Sequence, residues 1–248
     1  MLKRLALCFA AYCFFLSVDA QDRKGGDPKL SEYWTPEAKK VTPGKTQADA
    51  PSDAIVLFNG EDASAWTDAK GGSAKWTVAN GAMTVLAGQG TIKTKQKFGD
   101  CQLHIEWRTP TEIKGEGQGR GNSGIFFMEK YELQVLDSYV SKTYVNGQAG
   151  SIYKQLPPMV NATRAPGEWQ TYDVIFTAPR FYENGLVKTQ ATITLLHNGV
   201  LIQNHFTLSG STQYIGLASY EKHGEKESIS LQDHGNPVSY RNIWIREL

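Results

Sequence analysis

From Ala54 to the C-terminus, apolar and polar residues alternate in short runs rich in β-branched and aromatic side chains, broken by Gly, Asn, Asp and Pro. A period of two is the pattern of half-buried antiparallel strands, whose successive side chains point to opposite faces. It predicts strands near 55–58, 75–78, 82–86, 90–94, 101–109, 123–128, 131–136, 169–178, 190–197, 200–206, 229–232 and 238–246. No segment keeps a helical period beyond two turns. A dozen strands exceed what an immunoglobulin sandwich holds, so an all-β jelly roll of two antiparallel sheets is expected. Asn198-Gly199 and Asn80-Gly81 each separate two such runs. Both residue types tolerate positive φ, which makes the pairs tight hairpin turns.

Strand parity then sorts the side chains. In 101–109, Leu103, Ile105 and Trp107 belong to the core, while Gln102, His104, Glu106 and Arg108 face the other way and read as the solvated side of a sheet. In 131–136, Tyr131, Leu133 and Val135 share one face, with Glu132 and Gln134 opposite. Ile229 and Leu231 likewise alternate with Ser230, Gln232 and His234. Amides, a carboxylate and a histidine, bordered by Tyr131, Asp137, Tyr139 and Tyr153, are the chemistry of a sugar-binding concavity. Hydroxyls need paired donors and acceptors, and the C–H faces of a pyranose need flat apolar partners. The long irregular stretch 137–168 adds Tyr144, Gln148 and Arg164, and such loops in compact domains are usually functional. By contrast, the glycine-rich stretch 115–121 precedes no helix, so it does not read as a phosphate cradle.

The first twenty residues have the form of an export signal: basic Lys3 and Arg4, an apolar run from Leu5 to Val18, and small residues at Val18 and Ala20 before Gln21. The expected organisation is therefore a signal peptide over 1–20, an extended proline-containing lead-in over 21–52 and a sandwich domain over 53–248, in a periplasmic or secreted protein. A lipoprotein is the lesser alternative, because Cys13 follows the bulky Tyr12. No integral membrane segment is expected, since no stretch approaches the roughly 20 apolar residues a spanning helix needs. Removing 1–20 takes the formal net charge from +1 to zero, which leaves no electrostatic case for nucleic acid. It also leaves Cys101 as the sole cysteine, a small buried hydrophobe by its strand context.

Four phrases, 122–127 (NSGIFF), 131–138 (YELQVLDS), 166–173 (PGEWQTYD) and 231–238 (LQDHGNPV), closely resemble the 3-keto-disaccharide hydrolase family, and the likeness runs from about Ala54 to Leu248. That resemblance implies a concanavalin A-like lectin/glucanase sandwich acting on a carbohydrate ligand. It also implies a chemistry, in which a ketone at C3 acidifies the C2 proton, a base removes it, the aglycone leaves C1 and water adds to the enone. Glu132 and His234 are then the candidate catalytic base and acid, in either assignment, and Gln134, Asp137, Tyr139, Tyr153, Arg164 and Gln232 the candidate substrate-binding residues. A divalent metal polarising the ketone is a further option, with Glu132, Asp137 and His234 as ligands, although no ligand spacing asserts it. Two other functions stay open: a non-catalytic carbohydrate-binding module, and a conventional glycoside hydrolase. The latter needs paired carboxylates, and Gln134 occupies the next same-face position after Glu132.

Overall fold

The computed structural model describes residues 25–248, so the expected export signal lies outside the described residues. Contacts divide the chain after Lys40. In the first unit a 3-10 turn, Pro28–Ser31, is capped by the Asp27 carboxylate, which accepts from the Lys29 N–H at 3.0 Å. The second unit, Val41–Leu248, carries all the strands described.

These strands follow in chain order as β1 (Ile55–Phe58), β2 (Trp66–Asp68), β3 (Thr77–Ala79), β4 (Ala82–Thr84), β5 (Ile92–Thr94), β6 (Cys101–Arg108), β7 (Ser123–Phe127) and β8 (Tyr131–Val135), then β9 (Gln170–Thr177), β10 (Arg180–Phe181), β11 (Val187–Thr189), β12 (Thr192–His197), β13 (Val200–Thr207), β14 (Ser230–Leu231) and β15 (Ser239–Glu247). An eight-stranded sheet runs β13-β12-β9-β6-β15-β4-β3, with β1 also paired to β15; a five-stranded sheet runs β2-β5-β14-β7-β8, and β10-β11 form a small hairpin. All of the pairings described are antiparallel, and the two large sheets make the expected all-β jelly-roll sandwich. No helix among the described residues is long and apolar enough to cross a membrane.

The core lies where parity puts it. Leu103, Ile105 and Trp107 of β6 pack with Tyr131, Leu133 and Val135 of β8 and with Tyr172, Val174 and Phe176 of β9. Two hydroxyls cross this apolar layer: Tyr172 donates to the Gln134 carbonyl at 2.9 Å, and Tyr240 donates to Ser123 Oγ at 2.6 Å. Ser123 in turn donates to the Gln232 carbonyl at 2.7 Å, so the large sheet fixes the backbone beneath both polar rows of the small one. Both Asn-Gly pairs form the expected hairpins, with Asn198 at φ 52° and Gly199 at φ 80° between β12 and β13.

The outer face of β6 differs from its expected solvated character. His104 and Glu106 are buried, under a strap made by the segment 41–53. The Ala48 carbonyl accepts from Asn242 Nδ2 at 2.8 Å and from Trp244 Nε1 at 2.9 Å, and His104 stacks on Trp244. Within this layer His104 pairs with Asp173 at 2.7 Å, and Glu106 with Arg241 at 2.6 Å. Burial alone would pull His104 down, but its bonds to Asp173 and Glu106 outweigh that and push it up to about 9. Burial would raise Glu106, yet bonds from His104, Asn242 and Arg241 hold it at about 2. Polar parity was correct, and exposure was not, because the covering segment is remote in sequence.

Candidate active site

The site grows out of the register of the small sheet. Pairing of β7 with β8 sets Phe126 opposite Glu132 and Gly124 opposite Gln134, and β14 continues the sheet on the far side of β7 with Ser230 opposite Phe126. Two residues past Ser230, Gln232 donates its backbone N–H to Gly124 at 2.9 Å. On the other edge, Leu133 bridges to Ile152, and Tyr153 donates its N–H to the Glu132 carbonyl at 3.2 Å. Two rows therefore cross one face, Tyr153–Glu132–Phe126 and Gln134–Gly124–Gln232. Gly124 makes the hollow between them, because a Cβ there would stand 2.8 Å from Glu132 Oε1 and 2.9 Å from the Phe126 ring.

Around this floor lies a cavity of about 630 Å³, walled by Gln118 and Asn122 from the loop before β7, Tyr144 and Tyr153 from the long loop after β8, Thr212 and Tyr214 from the loop after β13, and His234 at the exposed rim. The strands beginning at Tyr131 and near Ile229 thus deliver Glu132, Gln134, Gln232 and His234 to one place. Tyr153 joins them. Asp137, Tyr139 and Arg164 lie outside the lining. The Asp137 carboxylate is buried and accepts from Arg120 Nε at 2.6 Å, facing a separate hollow, because the chain leaves the sheet after Val135 and the strand alternation stops there. Tyr139 is half exposed beyond it. Arg164 Nη1 is turned to the Trp169 carbonyl at 2.9 Å, beside β9 of the other sheet.

Electrostatically the cavity centres on Glu132. Its side chain is buried with no hydrogen bond or cation among the described residues offsetting the loss of water, and burial pushes the carboxyl up to about 8. Three of the four amide donors in the wall are spent internally: Gln134 Nε2 on Gln118 Oε1 at 2.9 Å, Gln118 Nε2 on the Gly147 carbonyl at 2.8 Å, and Asn122 Nδ2 on the Gln118 carbonyl at 2.6 Å. Their acceptors are not. Asn122 Oδ1, Gln134 Oε1 and Gln232 Oε1 are buried with no donor among the described residues. Buried acceptors without partners cost about 1–3 kcal/mol each, and hydroxyl donors of a sugar would relieve that cost. Phe126 supplies an apolar surface for a pyranose face. Glu132 is the single carboxylate among the lining residues. No group of three or more His, Cys, Asp or Glu among the described residues could hold a metal ion, and Asp137 is engaged by Arg120, so the set suggested for a metal does not assemble.

Gln118, Asn122, Thr212 and Tyr214 are lining residues that sequence reasoning did not single out. All come from loops with no period to read, although Asn122 opens the first of the four recognisable phrases.

Comparison with known proteins gives the chain a family and structural relatives. The profile of a family described as 3-keto-alpha-glucoside-1,2-lyase-like domain matches residues 53–246. A crystal structure of a presumptive glycosyl hydrolase from Parabacteroides distasonis ATCC 8503 is 54% identical, with a TM-score of 0.85, covering 90% of this chain and 97% of that one. A second presumptive glycosyl hydrolase from the same organism shares the fold at 22% identity and a TM-score of 0.60, covering 84% of this chain and all of its own. Among curated proteins no match was found.

Proposed function

The chain belongs to the 3-keto-alpha-glucoside-1,2-lyase-like family, and from that premise we propose that it cleaves 3-keto-glycosides by elimination followed by hydration, with Glu132 as the base. The observation that carries this reading is the solitary, unpartnered carboxylate in an amide-lined cavity. A conventional glycoside hydrolase places two carboxylates about 5–10 Å apart across the scissile bond, and the lining offers one. A binding module gains nothing from burying an ionisable group without a partner, whereas a proton-transfer enzyme gains a stronger base.

In the proposed reaction the Glu132 carboxylate takes the C2 proton, and the C–H electron pair forms the C2=C3 double bond, leaving negative charge on the C3 oxygen. Collapse of this enolate restores the ketone, makes the C1=C2 double bond and breaks the C1–O bond. The aglycone oxygen leaves with a proton, for which His234 at the rim is the donor. Water then adds across C1=C2, its oxygen to C1 and its proton to C2, giving the free 3-keto sugar with no net redox change. Asn122, Gln134 and Gln232 accept from the sugar hydroxyls and fix the ring over Phe126. An export signal over 1–20 would send this activity to the periplasm or beyond.

The test is to incubate the mature chain with 3-keto-glucosides and with the parent glucosides side by side. Release from the keto form alone supports elimination; release from the parent at equal rate overturns it. Glu132→Gln and His234→Ala should each lower turnover about a hundredfold or more. Retention of activity in both would remove the site assignment.

A further inference from the structure

Removing a proton next to a ketone requires two groups at once, a base at C2 and a donor that carries the charge arriving on the C3 oxygen. These atoms are bonded neighbours, so the two groups must be neighbours also. Opposed residues of an antiparallel ladder have Cβ atoms about 4.5–5.5 Å apart on the same face, and Tyr153 occupies that relation to Glu132, through the Leu133–Ile152 bridge and the bond from its own N–H to the Glu132 carbonyl. Its hydroxyl meets that of Tyr144 at 2.5 Å, and both rings line the cavity. Within such a pair one hydroxyl donates to the other, and the accepting hydroxyl keeps its own proton for a third partner. No third partner is present among the described residues. Lys154 holds its ammonium 4.0 Å from the Tyr144 ring centroid and is not among the residues lining the cavity. The amide donors of Gln118, Asn122 and Gln134 are consumed in the wall, and Gln232 stands in the neighbouring row rather than in the row of Glu132 and Tyr153.

We propose that the Tyr144–Tyr153 hydroxyl pair is a catalytic oxyanion donor, with Tyr144 donating to Tyr153 and Tyr153 donating to the C3 oxygen as the enolate forms. This rests on the elimination reading of the same cavity. Donation from Tyr144 polarises the Tyr153 O–H, and chained hydrogen bonds strengthen one another where water is excluded. The arrangement stabilises charge that exists only after the proton has left C2, so it acts on turnover rather than on ground-state binding.

The experiment uses the mature chain, its Tyr153→Phe and Tyr144→Phe variants, and two 3-keto-glucosides, one with a nitrophenyl and one with a simple alkyl leaving group. Phenylalanine keeps the ring packing, and thermal unfolding confirms that both variants fold. For Tyr153→Phe the expected result is a fall in kcat of about a hundredfold with KM changed less than about threefold, equal for both leaving groups. Exchange of the C2 hydrogen with deuterated solvent should slow by the same factor. Tyr144→Phe should show the same pattern with a smaller loss. A deficit that disappears with nitrophenol assigns the pair to protonating the leaving group and overturns the proposal, as does unchanged C2 exchange in a variant that folds. If the unmodified chain cleaves neither keto substrate, it is the elimination reading itself that fails, and the two failures are distinct.

Discussion

At the scale of single residues, Glu132 carries a cost that only function explains. Its carboxyl is raised from an ordinary value near 4.5 to about 8 by burial alone. A carboxyl raised on folding favours the protonated native state, so stability falls as pH climbs from about 4.5 to about 8 and stays reduced above. Replacing it by the neutral isostere should therefore stabilise the fold at pH 8 while abolishing turnover. Relative to the unmodified chain, Glu132→Gln is expected to gain about 5 kcal/mol in going from pH 4.5 to pH 8, read as the shift in denaturant midpoint at each pH. The unpartnered amide costs about 1–3 kcal/mol at both pH values, so the variant is the less stable chain at pH 4.5 and the more stable one at pH 8. The same group dictates the pH profile of the reaction. A base works only when ionised, so kcat/KM should rise about tenfold per pH unit up to about 8 and level off beyond it. A profile falling through that range would make Glu132 the acid and exchange its role with His234.

At the scale of elements, the hollow depends on the smallest side chain in the sheet. Gly124 sits between Gln134 and Gln232 in one row, and the space a methyl would need is held by the Glu132 carboxyl and the Phe126 ring of the other. Gly124→Ala should displace Glu132 and lower kcat/KM at least about tenfold, with a stability loss near 1–2 kcal/mol from overpacking; unchanged kinetics would show that Glu132 does not need its present rotamer. Glu132 and Gln134 were legible in the sequence because alternation along β8 fixes which way they point, whereas Gln232 and His234 lie past the end of β14 at Leu231 and reach the cavity from the segment that follows it. Their convergence was not, since it depends on β7 lying between β8 and β14, a pairing between segments about a hundred residues apart. The twelve predicted strands appear, most trimmed by a few residues, whereas Trp66–Asp68, Arg180–Phe181 and Val187–Thr189 went unseen. Asp137 and Tyr139 were placed beside the site by their nearness in sequence to Gln134. Sequence nearness stops implying spatial nearness once the strand ends at Val135.

At the scale of the whole molecule, a chain with almost no net charge has its pH stability set by a few buried groups rather than by general repulsion. Between pH 4.5 and 9 three dominate, and Glu106, held at about 2, acts only below that window. His197, packed against Trp107 and Tyr172, is held down to about 3, first by burial and then by the charge of Arg164. A depressed histidine gives stability that is lost as pH falls below 6.5, because the unfolded chain takes the proton first. His104, raised to about 9 in the layer under the strap, works in the opposite sense: its stabilisation is complete below 6.5 and is lost as pH rises through 9. Glu132 adds its own decline between about 4.5 and 8. Each group contributes a slope of about 1.4 kcal/mol per pH unit in its window. Between pH 4.5 and 6.5 the rise from His197 and the fall from Glu132 cancel, and between 6.5 and 8 the falls from Glu132 and His104 add. Stability measured by denaturant titration should therefore be flat on the acid side of neutrality and drop steeply from pH 6.5 to 8. His104→Gln should flatten the descent between 8 and 9, and Glu132→Gln should halve its slope between 6.5 and 8. A stability maximum at or above pH 8 in the unmodified chain would contradict both buried assignments at once. The opposition between this optimum and the alkaline rise expected for the reaction has a single origin. The isolation that makes Glu132 a strong base is the same isolation that penalises the fold whenever that base is charged.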